Sequence, residues 1–244
     1  MKKYIPNVIT LLNVFCGCVA TLFAVMNQLE LAALFVFLGI FFDFFDGLAA
    51  RLLNVRSELG VQLDSLADMI TSGLVPGIVM FQLLNMSLVG GWNIETPSAL
   101  GFNTSLLPFL GFLITMASAY RLAKFNIDEN QVSSFIGLPT PANTLLILSL
   151  PLILLYHGND FLNSIILNQW FLIGLTLLSS FLLNSKIELF ALKFKNWSFK
   201  DNALRYIFIF ISIVLLSTMK FLAVPAIIAF YIISSLINGL STKP

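Results

Sequence analysis

Apolar residues run along this chain in long, nearly uncharged blocks separated by short polar breaks. A helix that crosses a bilayer needs about 20 mostly apolar residues. On that measure the pattern predicts helices at about 7–27, 30–53, 61–85, 105–124, 140–157, 168–185, 204–219 and 221–239. The segment 85–104, NMSLVGGWNIETPSALGFNT, has Gly, Asn and Pro breakers and no basic residue, as an outer loop should. Between 186 and 203 lysines alternate with Leu, Phe and Trp, which reads equally as an interfacial helix or as a basic juxtamembrane loop. No internal repeat or low-complexity tract divides the chain. The expectation is an all-α, polytopic membrane bundle of about eight transmembrane helices, forming one membrane domain over 1–244.

Composition supports the same reading. Of 244 residues 58% are hydrophobic and 10% charged, with a mean hydropathy of +0.94, more apolar surface than one soluble core can hold. A net charge of +1 and the lack of any nucleic-acid motif set nucleic-acid binding aside. Twelve of the 13 basic residues fall at the termini or in even-numbered connections, and Lys220 alone falls in an odd one. By the positive-inside rule both termini face the cytoplasm, in a multi-pass cell membrane protein. The N-terminal apolar run lacks a clear small-residue cleavage site and reads as a retained first helix. Cys16 and Cys18, two apart in a helix, point in different directions, which fits packing and not a disulfide or metal pair.

Four aspartates need a different explanation. Near a bilayer centre each costs about 2.5–3.5 kcal/mol on insertion scales, yet Asp43, Asp46, Asp64 and Asp68 lie within or beside two successive spans. At about 100° per residue Asp43, Asp46, Gly47 and Ala50 share one stripe, and Asp64 and Asp68 extend the stripe begun by Gly60 on the next helix. The two pairs can face each other across a hairpin. Four like charges so placed require either protonation of some acids or a compensating cation. Hard oxygen donors with no nearby His or Cys favour Mg²⁺, Mn²⁺ or Ca²⁺ over zinc, and the spacing permits two ions. Gly47, Ala50 and Gly60 suit either close helix packing or room for a large ligand. Arg51 suits either phosphate binding or snorkelling to the interface.

The stretch from 43 to 68, DFFDGLAARLLNVRSELGVQLDSLAD, matches D-x2-D-G-x2-A-R-x8-G-x3-D-x3-D at every specified position. It resembles the signature of the CDP-alcohol phosphatidyltransferase family. The resemblance implies a two-metal membrane transferase, using Mg²⁺ or Mn²⁺, that displaces CMP from CDP-diacylglycerol with the hydroxyl of a small alcohol. It implies that Asp43, Asp46, Asp64 and Asp68 hold the metals and that Asp68 is also the general base. Gly47, Ala50, Arg51 and Gly60 would contact the CDP moiety. Asn7 and Thr10 on the first helix would join them, or would merely cap that helix. A core of about six helices over 1–185 would be followed by a juxtamembrane segment and two further helices over 186–244, and the resemblance suggests a homodimer.

Three further stretches, PNVITLLNVFCG at 6–17, RLAKFN at 121–126 and FIGLPTPA at 135–142, resemble the branch of the family that uses L-serine as acceptor. A serine carboxylate needs a cation and its ammonium needs acceptors. Arg121, Lys124, Asn126 and the turn at Gly137 are the candidates, against plain topological anchoring for Arg121 and Lys124. His157 falls on the outer side and reads as a surface residue. Two rivals remain: a sister enzyme taking glycerol 3-phosphate or an inositol-type acceptor, and a cation transporter. A transporter typically shows paired interrupted helices in repeated halves, whereas these acids share one hairpin.

Overall fold

The computed structural model describes residues 4–55, 57–90, 106–127, 135–190 and 198–241. Its helices follow the apolar blocks closely. Helix α1 (Ile5–Val25) starts with Pro6 in its first turn, where the missing N–H is no loss, and α2 (Leu29–Leu52) returns beside it. The three-residue reversal between them is a Schellman closure on Asn27, in the left-handed region at φ 57°. There Asn27 N–H donates to the Ala24 carbonyl and Gln28 N–H to that of Phe23. The Gln82 side chain, reaching over from a later helix, donates to the carbonyls of Ala24 and Val25 at 3.0 Å each. The last turn of α1 therefore leaves few carbonyls bare in an apolar setting.

The third block is one long rod with a change of winding inside it. Helix α3 (Glu58–Asp68) passes into a six-residue π-helical turn, Met69–Leu74, and then α4 (Val75–Val89). Pro76 has no N–H to offer the Ser72 carbonyl one turn back. That carbonyl instead accepts the Thr144 hydroxyl at 2.7 Å, and the Gly73 carbonyl accepts the Thr115 hydroxyl at 3.0 Å. Two hydroxyls from neighbouring helices thus satisfy backbone groups that have no water to turn to.

A 3₁₀ turn (Leu107–Gly111) leads into α5 (Phe112–Ile127), and α6 (Thr140–Tyr156) follows. Helices α4 and α6 are buried on nearly every side, which their all-round apolar sequences demand, whereas α1 and α2 keep one face outward. The main core joins Ala24, Leu29 and Val36 to Val79, Leu83, Ile147, Ile153 and Leu172. Gly77 and Gly111 let α4 and the start of α5 touch: a Cβ on Gly77 would lie 2.0 Å from Thr115 Oγ1, and one on Gly111 2.6 Å from the Phe81 nitrogen.

The remaining elements are α7 (Asp160–Ile166), α8 (Gln169–Asn184), α9 (Phe199–Met219), a 3₁₀ turn (Lys220–Leu222) and α10 (Ala223–Ser241). The short α7, bent 59° from α8, was not expected. Its signal is the pair of side-chain caps, Asn159 on α7 and Asn168 on α8, each accepting two backbone N–H groups. Among the described residues four helical stretches are long and apolar enough to cross a bilayer: Ile5–Val25, Leu29–Leu52, Glu58–Val89 and Asn202–Ile237; the α7–α8 pair makes a fifth if counted as one. In one straight helix Phe208 and Phe230 would stand about 33 Å apart. Their rings stack with centroids at 5.8 Å, so α9 and α10 fold back on each other at Lys220, which holds a left-handed φ of 48°.

The segment after α8 is extended where it is described. Its residues Glu188–Leu189 (β2) pair antiparallel with Phe135–Ile136 (β1), so the start of the 186–203 stretch is no interfacial helix; residues 191–197 lie outside the described residues. Arg56 and the outer-loop residues 91–105 do too. His157 differs from expectation as well: it is half-buried, with Nε2 3.1 Å from the Met219 carbonyl at the end of α9. Cys16 is buried and Cys18 exposed, and both are free thiols.

Candidate active site

Helices α2 and α3 are joined by only five residues, and local chemistry fixes both ends of the join. Asn54, at φ 53°, closes α2 in a second Schellman motif: its N–H donates to the Arg51 carbonyl at 3.3 Å, and that of Val55 to Ala50 at 3.0 Å. Two residues further on, the Ser57 hydroxyl caps α3 by accepting the Gly60 N–H at 3.0 Å. So tight a hairpin sets the aspartate stripes of the two helices against each other.

Asp43, Asp46 and Asp64 meet there. Each offers a carboxylate oxygen, and the three oxygens lie within 4.8 Å of one another. Asp68, one turn beyond Asp64, lies outside that trio, with its carboxyl within hydrogen-bond reach of Asp43. Asp46 is 5% exposed, and its Oδ2 is buried without a hydrogen-bond partner among the described residues. A buried carboxylate oxygen left unpaired is costly, and an all-oxygen trio around it is the donor set of a hard divalent cation. These residues therefore fit a metal.

The small residues border the acids. Among the described residues a Cβ on Gly47 would meet only the Arg51 guanidinium, at 3.7 Å, so none of their helices packs on this face. Arg51 is exposed and its Nε donates to the Gly47 carbonyl at 2.9 Å, with the terminal Nη2 of the fork over that face. Ala50, half-buried, lies one turn from Gly47. A Cβ on Gly60 would lie 3.4 Å from Asn7 Oδ1, so α1 and α3 come together at Asn7. Thr10 is buried beside the Asp46 carboxyl, with its hydroxyl donating to the Pro6 carbonyl at 3.0 Å.

The four acceptor candidates divide into two groups. Asn126 is tied to α3: its Oδ1 accepts the Ser65 hydroxyl at 2.9 Å and its Nδ2 donates to Gln62 at 3.3 Å. Arg121 and Lys124 line a shallow cleft with Phe125, Ile136, Leu183, Asn184 and Ser185. One nitrogen of the Arg121 fork donates to the carbonyls of Ile136 and Leu183, at 2.8 and 3.0 Å. Gly137 makes that docking possible. At φ 72° its backbone favours glycine, and a Cβ would stand 2.7 Å from the Leu183 carbonyl.

Sequence reasoning did not single out Asn13 and Thr71. Both are fully buried, and the Thr71 hydroxyl donates to Asn13 Oδ1 at 2.7 Å. The available signal was spacing: Asn7, Thr10, Asn13 and Gly17 interrupt an apolar run at steps of three and four, one face of a helix.

A bundle with an acidic, metal-suited trio at one helical hairpin, beside a glycine face and an exposed guanidinium, suits a membrane transferase acting on phosphate esters. The sequence profile of the CDP-alcohol phosphatidyltransferases matches residues 3–182, and the chain belongs to that family, whose members use divalent cations. It is similar to proteins named CDP-diacylglycerol–serine O-phosphatidyltransferase. That of Bacillus subtilis is 36% identical over 143 residues, covering 57% of this chain and 70% of the relative. That of Helicobacter pylori strain J99 is 29% identical over 221 residues, covering 90% and 84%. The Saccharomyces cerevisiae protein is 31% identical over 163 residues, covering 60% and 53%.

Proposed function

We propose that this protein transfers the phosphatidyl group of CDP-diacylglycerol to the hydroxyl of L-serine, giving phosphatidylserine and CMP. The observation that carries the chemistry is the carboxylate trio with its orphaned Asp46 oxygen beside the face of Gly47. Asp43, Asp46, Asp64 and Asp68 would hold two Mg²⁺ or Mn²⁺ ions, which when bound neutralise charge on the pyrophosphate oxygens. Arg51 would grip a phosphate through its terminal nitrogens, while Gly47, Ala50, Gly60, Asn7 and Thr10 shape the space for the nucleotide.

Serine oxygen attacks the lipid-side phosphorus as the bond to the CMP oxygen breaks, and Asp68 takes the hydroxyl proton. A serine hydroxyl is barely ionised near neutral pH, so a base within reach is required. Arg121 and Lys124 would meet the serine carboxylate in their cleft, with Asn126 and the Gly137 turn holding the walls. The reading is completed by eight crossings, a catalytic core over 1–185 with a two-helix extension over 186–244, and a homodimer. Both termini and the site would face the cytoplasm, because serine and CMP are soluble there while the acyl chains stay in the leaflet.

The acceptor is tested by incubating purified protein with CDP-diacylglycerol and labelled serine, glycerol 3-phosphate or inositol phosphate in turn. Lipid labelled from serine alone is expected. Labelling from glycerol 3-phosphate with none from serine overturns the assignment.

A further inference from the structure

The π-helical turn begins at the residue after Asp68, and a π turn inside an α-helix often marks a functional site. Its extra width carries Thr71 into a slot between α1 and α2. A Cβ on Gly17 would lie 2.5 Å from Thr71 Oγ1; one on Gly39 would lie 2.6 Å from Thr71 Cγ2 and 2.8 Å from Asn13 Oδ1. Neither glycine can gain a side chain without expelling the threonine. So held, the Thr71 hydroxyl donates to Asn13 Oδ1 at 2.7 Å and stands 3.3 Å from the Asn13 carbonyl.

The bond fixes which way the Asn13 amide faces. With Oδ1 taken by Thr71, Nδ2 must point away from it. That nitrogen is fully buried and has no hydrogen-bond partner among the described residues, and the nearby carboxyl is that of Asp68, three residues before Thr71 on the same face of the rod. Leaving it unpaired in a bundle core is costly, so it needs an acceptor, and the adjacent carboxylate is one.

We infer that Asn13 and Thr71, clamped between Gly17 and Gly39, form a positioning pair that aims the Asp68 carboxylate: the Asn13 amide donates to one oxygen and leaves the other facing the substrate hydroxyl. The inference rests on the reading of Asp68 as the base. Both are positioning residues, since neither reaches the reacting atoms. The pair spans two elements, so the base is aligned only when α1 and the π turn are seated together. A carboxylate freed of this partner keeps its charge but samples orientations in which proton transfer is slow, so turnover falls while substrate binding does not.

The test uses full-length protein in micelles with CDP-diacylglycerol, serine and Mn²⁺, reading CMP release and thermal unfolding on the same samples. Asn13→Ala and Thr71→Val, the second nearly isosteric, should lower kcat roughly 10- to 100-fold, the range typical of supporting-shell changes. KM for both substrates should stay within about 2-fold, while the unfolding midpoint falls by roughly 3–10 °C, the cost of about 1–3 kcal/mol for one buried polar group left unpaired, with kcat read well below the transition. Thr71→Ser, which restores the hydroxyl, should recover most of kcat. If Asn13→Ala does not fold, the contrast between Thr71→Val and Thr71→Ser carries the test. Wild-type kcat in Thr71→Val, or a raised KM with kcat unchanged, overturns the positioning role. Asp68→Asn assayed in parallel separates the two claims: if it is inactive beside a fully active Thr71→Val, only the positioning role fails, and if it is fully active, the base assignment fails as well.

Discussion

Replacing Asp43 by asparagine should make the metal-free protein more stable and the enzyme nearly inactive. Asp43 lies among the other three acids and is one of the trio within 4.8 Å. Two full charges at that distance repel by about 3.5 kcal/mol at an effective dielectric constant of ~20. Protons shared within the cluster remove part of this, so the relief expected from Asp43→Asn is of order 1–3 kcal/mol. At ~2–4 °C per kcal/mol for a chain of this size, the unfolding midpoint in EDTA should rise by roughly 3–10 °C. Bound metal reverses the comparison. At a hundredfold excess over its dissociation constant an ion stabilises the wild type by about 2.7 kcal/mol, and the variant, short of one donor and one charge, should gain far less. The assay is thermal unfolding of both proteins in micelles, with EDTA and with Mn²⁺ or Mg²⁺, alongside CMP release. A wild type indifferent to divalent ions, together with an Asp43→Asn protein that melts earlier in EDTA, would refute the metal-site reasoning.

Three further outcomes follow from the packing. Gly47→Val meets no other described helix, so the protein should fold with a wild-type melting curve while KM for CDP-diacylglycerol rises at least about tenfold, about 1.4 kcal/mol of lost binding, measured by CMP release. Gly77→Ala drives a methyl to within 2.0 Å of Thr115 Oγ1 and should cost about 1–3 kcal/mol, read as a lower melting point with activity per folded molecule retained. Thr144→Val leaves the Ser72 carbonyl without its 2.7 Å donor and should destabilise by about 1–3 kcal/mol, checked by the same melting curves.

The helical rods and the acidic hairpin were legible in the sequence because each rests on a local rule. Uninterrupted apolar runs give the rods, and the 100° step puts Asp43 with Asp46 and Asp64 with Asp68. The tight join between the two stripes had a local signal that the sequence reading passed over, in Asn54 and Ser57, whose residue types suit a left-handed C-terminal position and an N-cap. What escaped depends on partners distant in sequence. The π turn has no local signature: Thr71 occupies it because Gly17 and Gly39, 54 and 32 residues earlier, vacate the space. The pairing of β1 with β2 and the docking of Arg121 onto Ile136 and Leu183 are likewise set by tertiary contact. Arg121 shows the limit of residue-type reasoning most clearly. As a cation at a helix end it suggests a carboxylate partner, yet one arm of its fork is already spent on two backbone carbonyls.

The same glycines explain how so much polarity is tolerated inside an apolar bundle. Where the Glu58–Val89 rod meets α1, α2 and α5, glycines face small hydroxyl residues: Gly17 and Gly39 against Thr71, Gly73 against Ser118, Gly77 against Thr115. The close approach at Gly77 brings the Thr115 hydroxyl to the Gly73 carbonyl, and from α6 the Thr144 hydroxyl reaches that of Ser72. Every such bond removes a group that would otherwise need water, and water would have to come through the bundle core. Some buried side-chain atoms stay unpaired among the described residues, Ser72 Oγ, Ser118 Oγ and Asn143 Nδ2 among them, but Asp46 Oδ2 is the one that belongs to a carboxylate. A bare carboxylate oxygen is the costliest of these groups to bury, and three converging carboxylates make a donor set that a hard divalent cation would complete.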